Sequence, residues 1–277
     1  MNMFEYDELQ IYRGRDIKIT PKITITVPSI GEIEEFGERR YFSAVQTLTS
    51  VGADLKWQLW DFYDIDYTQI EDYDLFVTYI ANVVSSKKNI YKELMENKEM
   101  YSEELSRLTE EDLEEMLINP LQLTLKDIDL ADFAPYHDEK IDQIVLYDKE
   151  HDITIDRYVY AKMVDCVRKI HGFKRNNQRP ANKRTKMALI EDARDEAIIA
   201  SRKPKKSILL PLVSALTVKC GLCGNDSVWN MKISAFFDNI KRIGKVQDAE
   251  LLMQGAYSGF ASLKGVDKSR LDWAGDL

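Results

Sequence analysis

Between Gly172 and Lys186 the chain reads GFKRNNQRPANKRTK, with six Lys or Arg, one Pro and no acid. A stretch so poor in apolar side chains cannot build a core of its own, so it has to be a linker or an extended arm. The charge balance turns over at this place. Residues 1–165 carry 17 Lys and Arg against 36 Asp and Glu, a balance of −19, and residues 166–277 carry 21 against 11, a balance of +10. Such polarity has three readings: a half that faces nucleic acid, two halves that attract each other within or between molecules, or two separately solvated surfaces. The sequence thus divides into an acidic α+β domain at 1–171, a basic linker or arm at 172–186 and a helical C-terminal domain at 187–277.

The 277 residues are 44% hydrophobic and 31% charged, enough apolar material for one sizeable core or two small ones. The first residues, MNMFEYDELQ, hold acids and no apolar run, so no secretory signal is expected. No stretch approaches the ~20 apolar residues of a membrane span. Three cysteines, an odd number, make no disulfide framework and point to a reducing compartment.

The fold class expected is α+β: a short-stranded N-terminal sheet with helices, then a predominantly helical C-terminal region. Gln10–Tyr12, Ile17–Ile19 and Ile23–Val27 alternate as strands between turn residues. Ser29 and Glu32 have capping-box spacing, which predicts a helix from about Gly31 to Thr49 that buries Ile33, Phe36, Tyr41, Val45 and Leu48. Residues 54–84 form an aromatic-rich helical region, and an aromatic stripe at this spacing reads as core before it reads as a ligand box. From Asn89 to Asn119 the chain is acidic and helix-forming, and Pro120 stops it. Leu121–Leu125 alternates as a strand, and Gln143–Tyr147 with Ile153–Ile155 reads as a hairpin. Asp156 can cap a helix to about His171 that buries Val159, Tyr160, Met163, Val167 and Ile170. Helices are expected at Thr185–Ala200, Ser207–Val218 and Met231–Gly255, and a turn-rich tail at Ala256–Leu277.

Catalytic chemistry is poorly served. The three histidines, His137, His151 and His171, sit in no ligand-spaced motif, and nucleotide-cradling glycine loops and nucleophile elbows are absent. Asp64–Asp66, Asp72–Asp74 and Asp127–Asp129 have the spacing of metal-binding acid pairs, and Glu96–Lys98 that of a nuclease motif. In a chain with 47 acids such pairs arise by chance. Cys220-Gly-Leu-Cys223 is half of a zinc knuckle, and only Cys166 and His171 could complete a four-ligand set. No cofactor is expected.

Two surfaces remain. Lys174, Arg175, Arg179, Lys183, Arg184 and Lys186 could neutralise phosphates, or dock on the acidic half or on an acidic partner. Leu251, Leu252, Tyr257, Phe260, Leu271, Trp273 and Leu277 make the C-terminus adhesive, either packed back on the domain or inserted into a partner.

Several segments carry a resemblance. Ser207–Leu216 (SILLPLVSAL), Val228–Met231 (VWNM), Phe236–Ile243 (FFDNIKRI), Leu251–Phe260 (LLMQGAYSGF) and Leu271-Asp-Trp273 resemble structural-module proteins of tailed phages and prophages of Gram-positive bacteria. Gly31–Gly37 (GEIEEFG) and Trp57–Trp60 (WQLW) are similar to the same group. The resemblance implies a viral structural or tail-assembly, chaperone-like protein in the host bacterial cytoplasm, with virion association open. It would bind other phage components such as tape measure or tail tube, or copies of itself, and would not be an enzyme. A nucleic-acid-associated protein using the basic arm is the alternative, and a metal-dependent enzyme stands behind that.

Overall fold

The structure, a computed structural model, describes residues 4, 6–81, 90–98, 100, 101, 108, 109, 113, 117–139, 141–204, 206–221, 226–260 and 262–275. It is a mixed α+β protein in which helices predominate and two small antiparallel sheets of three strands support them.

In the first sheet β1 (Ile17–Lys18), β2 (Thr24–Ile25) and β3 (Leu125–Lys126) lie in that order. Ile17 faces Ile25, which faces Leu125. In the second, β4 (Ala134–Asp138), β5 (Gln143–Asp148) and β6 (Ile153–Ile155) pair in sequence. The expected hairpin is β5–β6; β4 has no alternating pattern and went unread. Leu121–Leu125, expected as a strand, is mostly turn, and only Leu125 enters the sheet.

The N-terminus departs from its pattern. Gln10–Tyr12 is not a strand but the end of a short helix, α1 (Glu8–Tyr12), because the Asp7 carboxylate accepts the amides of Leu9 and Gln10. The capping box forms as expected: the Glu32 amide donates to Ser29 Oγ, and the Ser29 amide donates to Glu32 Oε2. The helix it starts is short, α2 (Ile30–Phe36). Gly37, at φ 100°, turns the chain into a separate helix, α3 (Glu38–Thr49). Then come α4 (Lys56–Tyr63) and α5 (Asp72–Leu75), the latter continuing as a π-helical stretch, Phe76–Ala81. Of the acidic segment Asn89–Asn119, residues 90–96 are helical as expected, and residues 89, 99, 102–107, 110–112 and 114–116 lie outside the described residues.

The centre of the molecule is α6 (Arg157–His171), capped by the Asp156 carboxylate on the Val159 amide, as its sequence predicts. Its apolar face, Tyr160, Met163, Val164, Val167 and Ile170, packs with Tyr41, Val45 and Leu48 of α3 and with Ile25, Ile153 and Ile155 of the sheets. Three further helices follow, α7 (Lys183–Arg202), α8 (Leu209–Lys219) and α9 (Ile233–Tyr257).

The main core reaches across the basic segment. Phe236 of α9 and Leu209, Val213 and Leu216 of α8 join it. Backbone bonds stitch the two ends of the chain: Ile30 N–H donates to the Met231 carbonyl, Gly31 N–H to that of Trp229, and Ile233 N–H to that of Pro28. The Glu38 carboxylate of α3 caps the start of α8, accepting the Ser207 hydroxyl and the amides of Ile208 and Leu209. Burial pushes the Glu38 carboxyl up, but these donors outweigh it and hold it below the ordinary range. A second, smaller core joins Leu59, Tyr67 and Leu75 to Ile190, so α7 lies on residues 55–75.

Candidate interaction surfaces

The basic segment is a strap laid across the acidic half. It leaves α6 through Gly172, whose left-handed φ of 64° suits glycine, and it ends where the Asn182 side chain accepts the Thr185 amide to cap α7. Along the way Arg175 donates to both carboxylate oxygens of Asp72, at 3.0 Å each. Asn176 Nδ2 donates to Asp54 at 2.8 Å, and Lys56 Nζ donates to Gln178 Oε1 at 2.6 Å. Beyond the strap, Lys186 Nζ meets Asp66 at 2.5 Å and lies over the Trp60 ring, and Arg194 forks onto Asp61 at 2.8 and 2.7 Å.

The electrostatics follow the geometry. Burial pushes the Asp66 carboxyl up, but Lys186 and the Thr68 amide and hydroxyl pull it further down, so it sits below the ordinary range. The Arg194 fork does the same for exposed Asp61. The acidic and basic parts of this chain therefore pair within one molecule. Of the six arm residues, Arg175 and Lys186 are spent on that pairing. Lys174, Arg179, Lys183 and Arg184 are exposed and make no ion pair with any described residue.

The C-terminus presents a different surface. The first turn of α9 is buried through Ile233, Ser234, Ala235 and Phe236, while along the rest of the helix only Ala249 is. The segment after the helix folds back along it by polar contacts. Arg270 forks onto Asp248 at 2.9 and 2.7 Å, and Arg242 Nη1 donates to the carbonyls of Trp273 and Gly275 at 2.7 and 2.6 Å. Leu252 and Leu271 are half-buried by this fold-back. Leu251, Tyr257, Phe260 and Trp273 are not: their exposures are 67%, 85%, 93% and 57%. Leu277 lies outside the described residues. The tail is held in place while its large apolar groups face outward. Leu210 and Val218, two turns apart on the outer face of α8, are also exposed, and the sequence reading missed them.

Of the sulfur and imidazole candidates for a metal, those among the described residues, Cys166, His171 and Cys220, form no ligand cluster. Cys166 is fully buried in the core, and burial pushes its thiol up to about 12. His171 is buried with both ring nitrogens engaged, Nδ1 at 2.7 Å from the Val167 carbonyl and Nε2 at 2.7 Å from the Tyr41 hydroxyl. Burial lowers its pKa to about 4. Cys220 is exposed just after α8, and Cys223 lies outside the described residues. Among the described residues no three His, Cys, Asp or Glu side chains cluster as metal ligands.

Several of the acid pairs serve as ion-pair partners: Asp74 takes Arg157 Nη2 at 2.7 Å, beside Asp72 with Arg175 and Asp66 with Lys186. The aromatic residues at 54–84 divide between roles, Tyr67, Tyr73 and Phe76 being buried and Phe62 and Tyr63 exposed. No helix among the described residues is long and apolar enough to cross a membrane. Compared with protein families, curated proteins and solved structures, the chain finds no match.

Proposed function

We propose that this chain is a structural or tail-assembly, chaperone-like protein of a tailed phage that works by binding another virion protein through its C-terminal surface, without catalysing a reaction. One observation supports this reading above the others: Leu251 and Tyr257 at the end of α9 and Phe260 and Trp273 beyond it are exposed, and Arg242 and Arg270 hold the tail that carries Trp273 against that helix. Exposed aromatic anchors on an ordered backbone lose little conformational entropy on docking, which is what a binding surface needs. The resemblance of Leu251–Phe260 and Leu271–Trp273 to phage structural-module proteins names the class of partner, an apolar helical segment of a component such as the tape measure or the tail tube. The protein would act in the host cytoplasm during assembly.

Co-expression with those two components tests the reading. Capture of one of them by the intact chain, lost in Phe260→Ser/Trp273→Ser, is the expected result. Equal capture by a chain that lacks Leu263–Leu277 and carries Phe260→Ser would end it. A nucleic-acid role for the arm is disfavoured because two of its six cations are already paired with Asp72 and Asp66.

A further inference from the structure

The strap does more than join two parts of the chain. Where it crosses the N-terminal half it roofs a cleft of about 320 Å³, walled by residues 51–53 and 67–72 below and 175–180 above. The cleft is rigidly framed, because Arg175 on Asp72, Asn176 on Asp54 and Lys56 on Gln178 fix the roof to the floor. Gly52 closes the floor tightly: a Cβ there would lie 2.5 Å from the Tyr67 carbonyl oxygen. The lining is rich in donors, and the side-chain oxygens of the strap that face it are already used. Asp72 is taken by Arg175, and the side-chain oxygens of Asn177 and Gln178 already accept from Arg175 and Lys56. The Gln178 backbone N–H donates to Asn176 Oδ1, which leaves the side-chain NH2 groups of Asn177 and Gln178 and the Arg179 guanidinium without a partner among the described residues. Tyr67, in the wall, is only 4% exposed and its hydroxyl has no hydrogen-bond partner among them. Lys183 and Arg184 extend the line of exposed cations beyond the cleft.

We propose that this cleft and the cations beside it form a second binding site, for an acidic peptide segment of a partner protein. One carboxylate would enter beneath the strap to meet Arg179 with the side-chain amides of Asn177 and Gln178, and further acids would meet Lys183 and Arg184. A planar carboxylate matches a guanidinium fork flanked by amide donors. A nucleic acid strand fits less well. Single strands gain much of their affinity from stacking on exposed rings. The cleft's one ring, Tyr67, is buried, and Phe173 at the strap's start is packed against His171. The site is separate from the C-terminal surface and does not depend on it.

Fluorescence anisotropy of the full chain with a fluorescein-labelled Glu-rich dodecapeptide and with a labelled thymidine 20-mer tests this. Peptide binding at ~50 mM salt that weakens by ~300 mM is expected, since the contacts are ionic. Asn177→Asp, which puts a carboxylate in the cleft, and Arg179→Glu should each weaken it at least about tenfold. Lys203→Glu/Lys206→Glu, which removes exposed charge elsewhere, should leave it within about twofold. Unchanged thermal melting of all three variants keeps the comparison clean. Three results would overturn the inference: no peptide binding at ~50 mM salt, equal loss in the Lys203/Lys206 variant, or tighter binding of the oligonucleotide. A chain with Phe260→Ser/Trp273→Ser should bind the peptide as the intact chain does, so failure of the C-terminal reading and failure of this one are told apart.

Discussion

Arg175 and Asp72 stand 103 residues apart in sequence and meet through two parallel N–H···O bonds of 3.0 Å, fastening the basic strap to the acidic half. The pair is partly exposed, and exposed pairs contribute about 0.2–1 kcal/mol even with good geometry. Its main effect is therefore on where the strap lies. Arg175→Ala is expected to lower global stability by less than about 1 kcal/mol, yet to speed tryptic cleavage within 174–186 several-fold under native conditions. Urea midpoints and limited proteolysis measure the two effects. A variant that loses stability without becoming more cleavable would show that the pair holds the core and not the strap.

Tyr41 and His171 make the corresponding link inside the core. The Val167 carbonyl can only accept, so Nδ1 of His171 carries the proton and Nε2 accepts from the Tyr41 hydroxyl. Burial holds the imidazole at a pKa of about 4, below the ordinary 6.5. A lowered pKa means that the unfolded chain takes up the proton first as the pH falls. The contribution is whole above pH ~6.5 and is lost as the pH drops toward ~4, an amount of roughly 3 kcal/mol. Urea denaturation between pH 7 and 4 should show a steeper decline for the wild type than for His171→Gln, which cannot charge. Tyr41→Phe leaves a buried acceptor unpaired and should cost about 1–3 kcal/mol at pH 7.

Much of the helical framework was legible because it is encoded locally. The Asp156 cap and the spacing of Tyr160, Met163, Val167 and Ile170 identify α6 without help from the rest of the chain. The errors arose where a single residue outweighs a pattern. Gln10–Tyr12 alternates like a strand, but Asp7 caps it as a helix, and Gly37 divides a run whose apolar spacing looks continuous. The surfaces were half legible. The composition of the strap was plain, whereas Asp54, Asp66 and Asp72 could not be recognised as its partners among 47 acids, because a polar contact between distant segments leaves no periodicity. The Glu38 cap on α8 was hidden for the same reason.

Ile190 is the only buried residue of α7, and it fills the small core with Leu59, Tyr67 and Leu75. A helix of this length with one buried anchor depends on that anchor and on two ion pairs, Lys186 with Asp66 and Arg194 with Asp61. Ile190→Ala should cost about 2–5 kcal/mol in local stability. Amides of α7 should then exchange before those of α6 do, since the main core does not include it. Hydrogen exchange read by mass spectrometry decides this. Simultaneous loss of protection in both helices would mean that α7 is cooperative with the main core.

Phe260 follows the end of α9, and Trp273 lies in a later turn that Arg242 ties down through the Trp273 and Gly275 carbonyls. Phe260 is 93% exposed, so Phe260→Ser should move stability by no more than about 0.5 kcal/mol. The informative substitution is Arg242→Ala, which leaves every apolar group of the tail intact and removes one of the two contacts that order it, the other being Arg270 on Asp248. If the tail is a preorganised docking element, the partner must then supply the ordering cost, about 0.5–1.5 kcal/mol, and affinity falls roughly 2- to 12-fold. The loss should appear while the isolated chain melts at its original temperature. Affinity for the captured tail component, measured by surface plasmon resonance for Arg242→Ala beside Phe260→Ser, separates the two contributions. An Arg242→Ala chain that binds as tightly as the wild type would mean that the rings act without the turn, and the fold-back would then be a resting position of the tail and not its binding conformation.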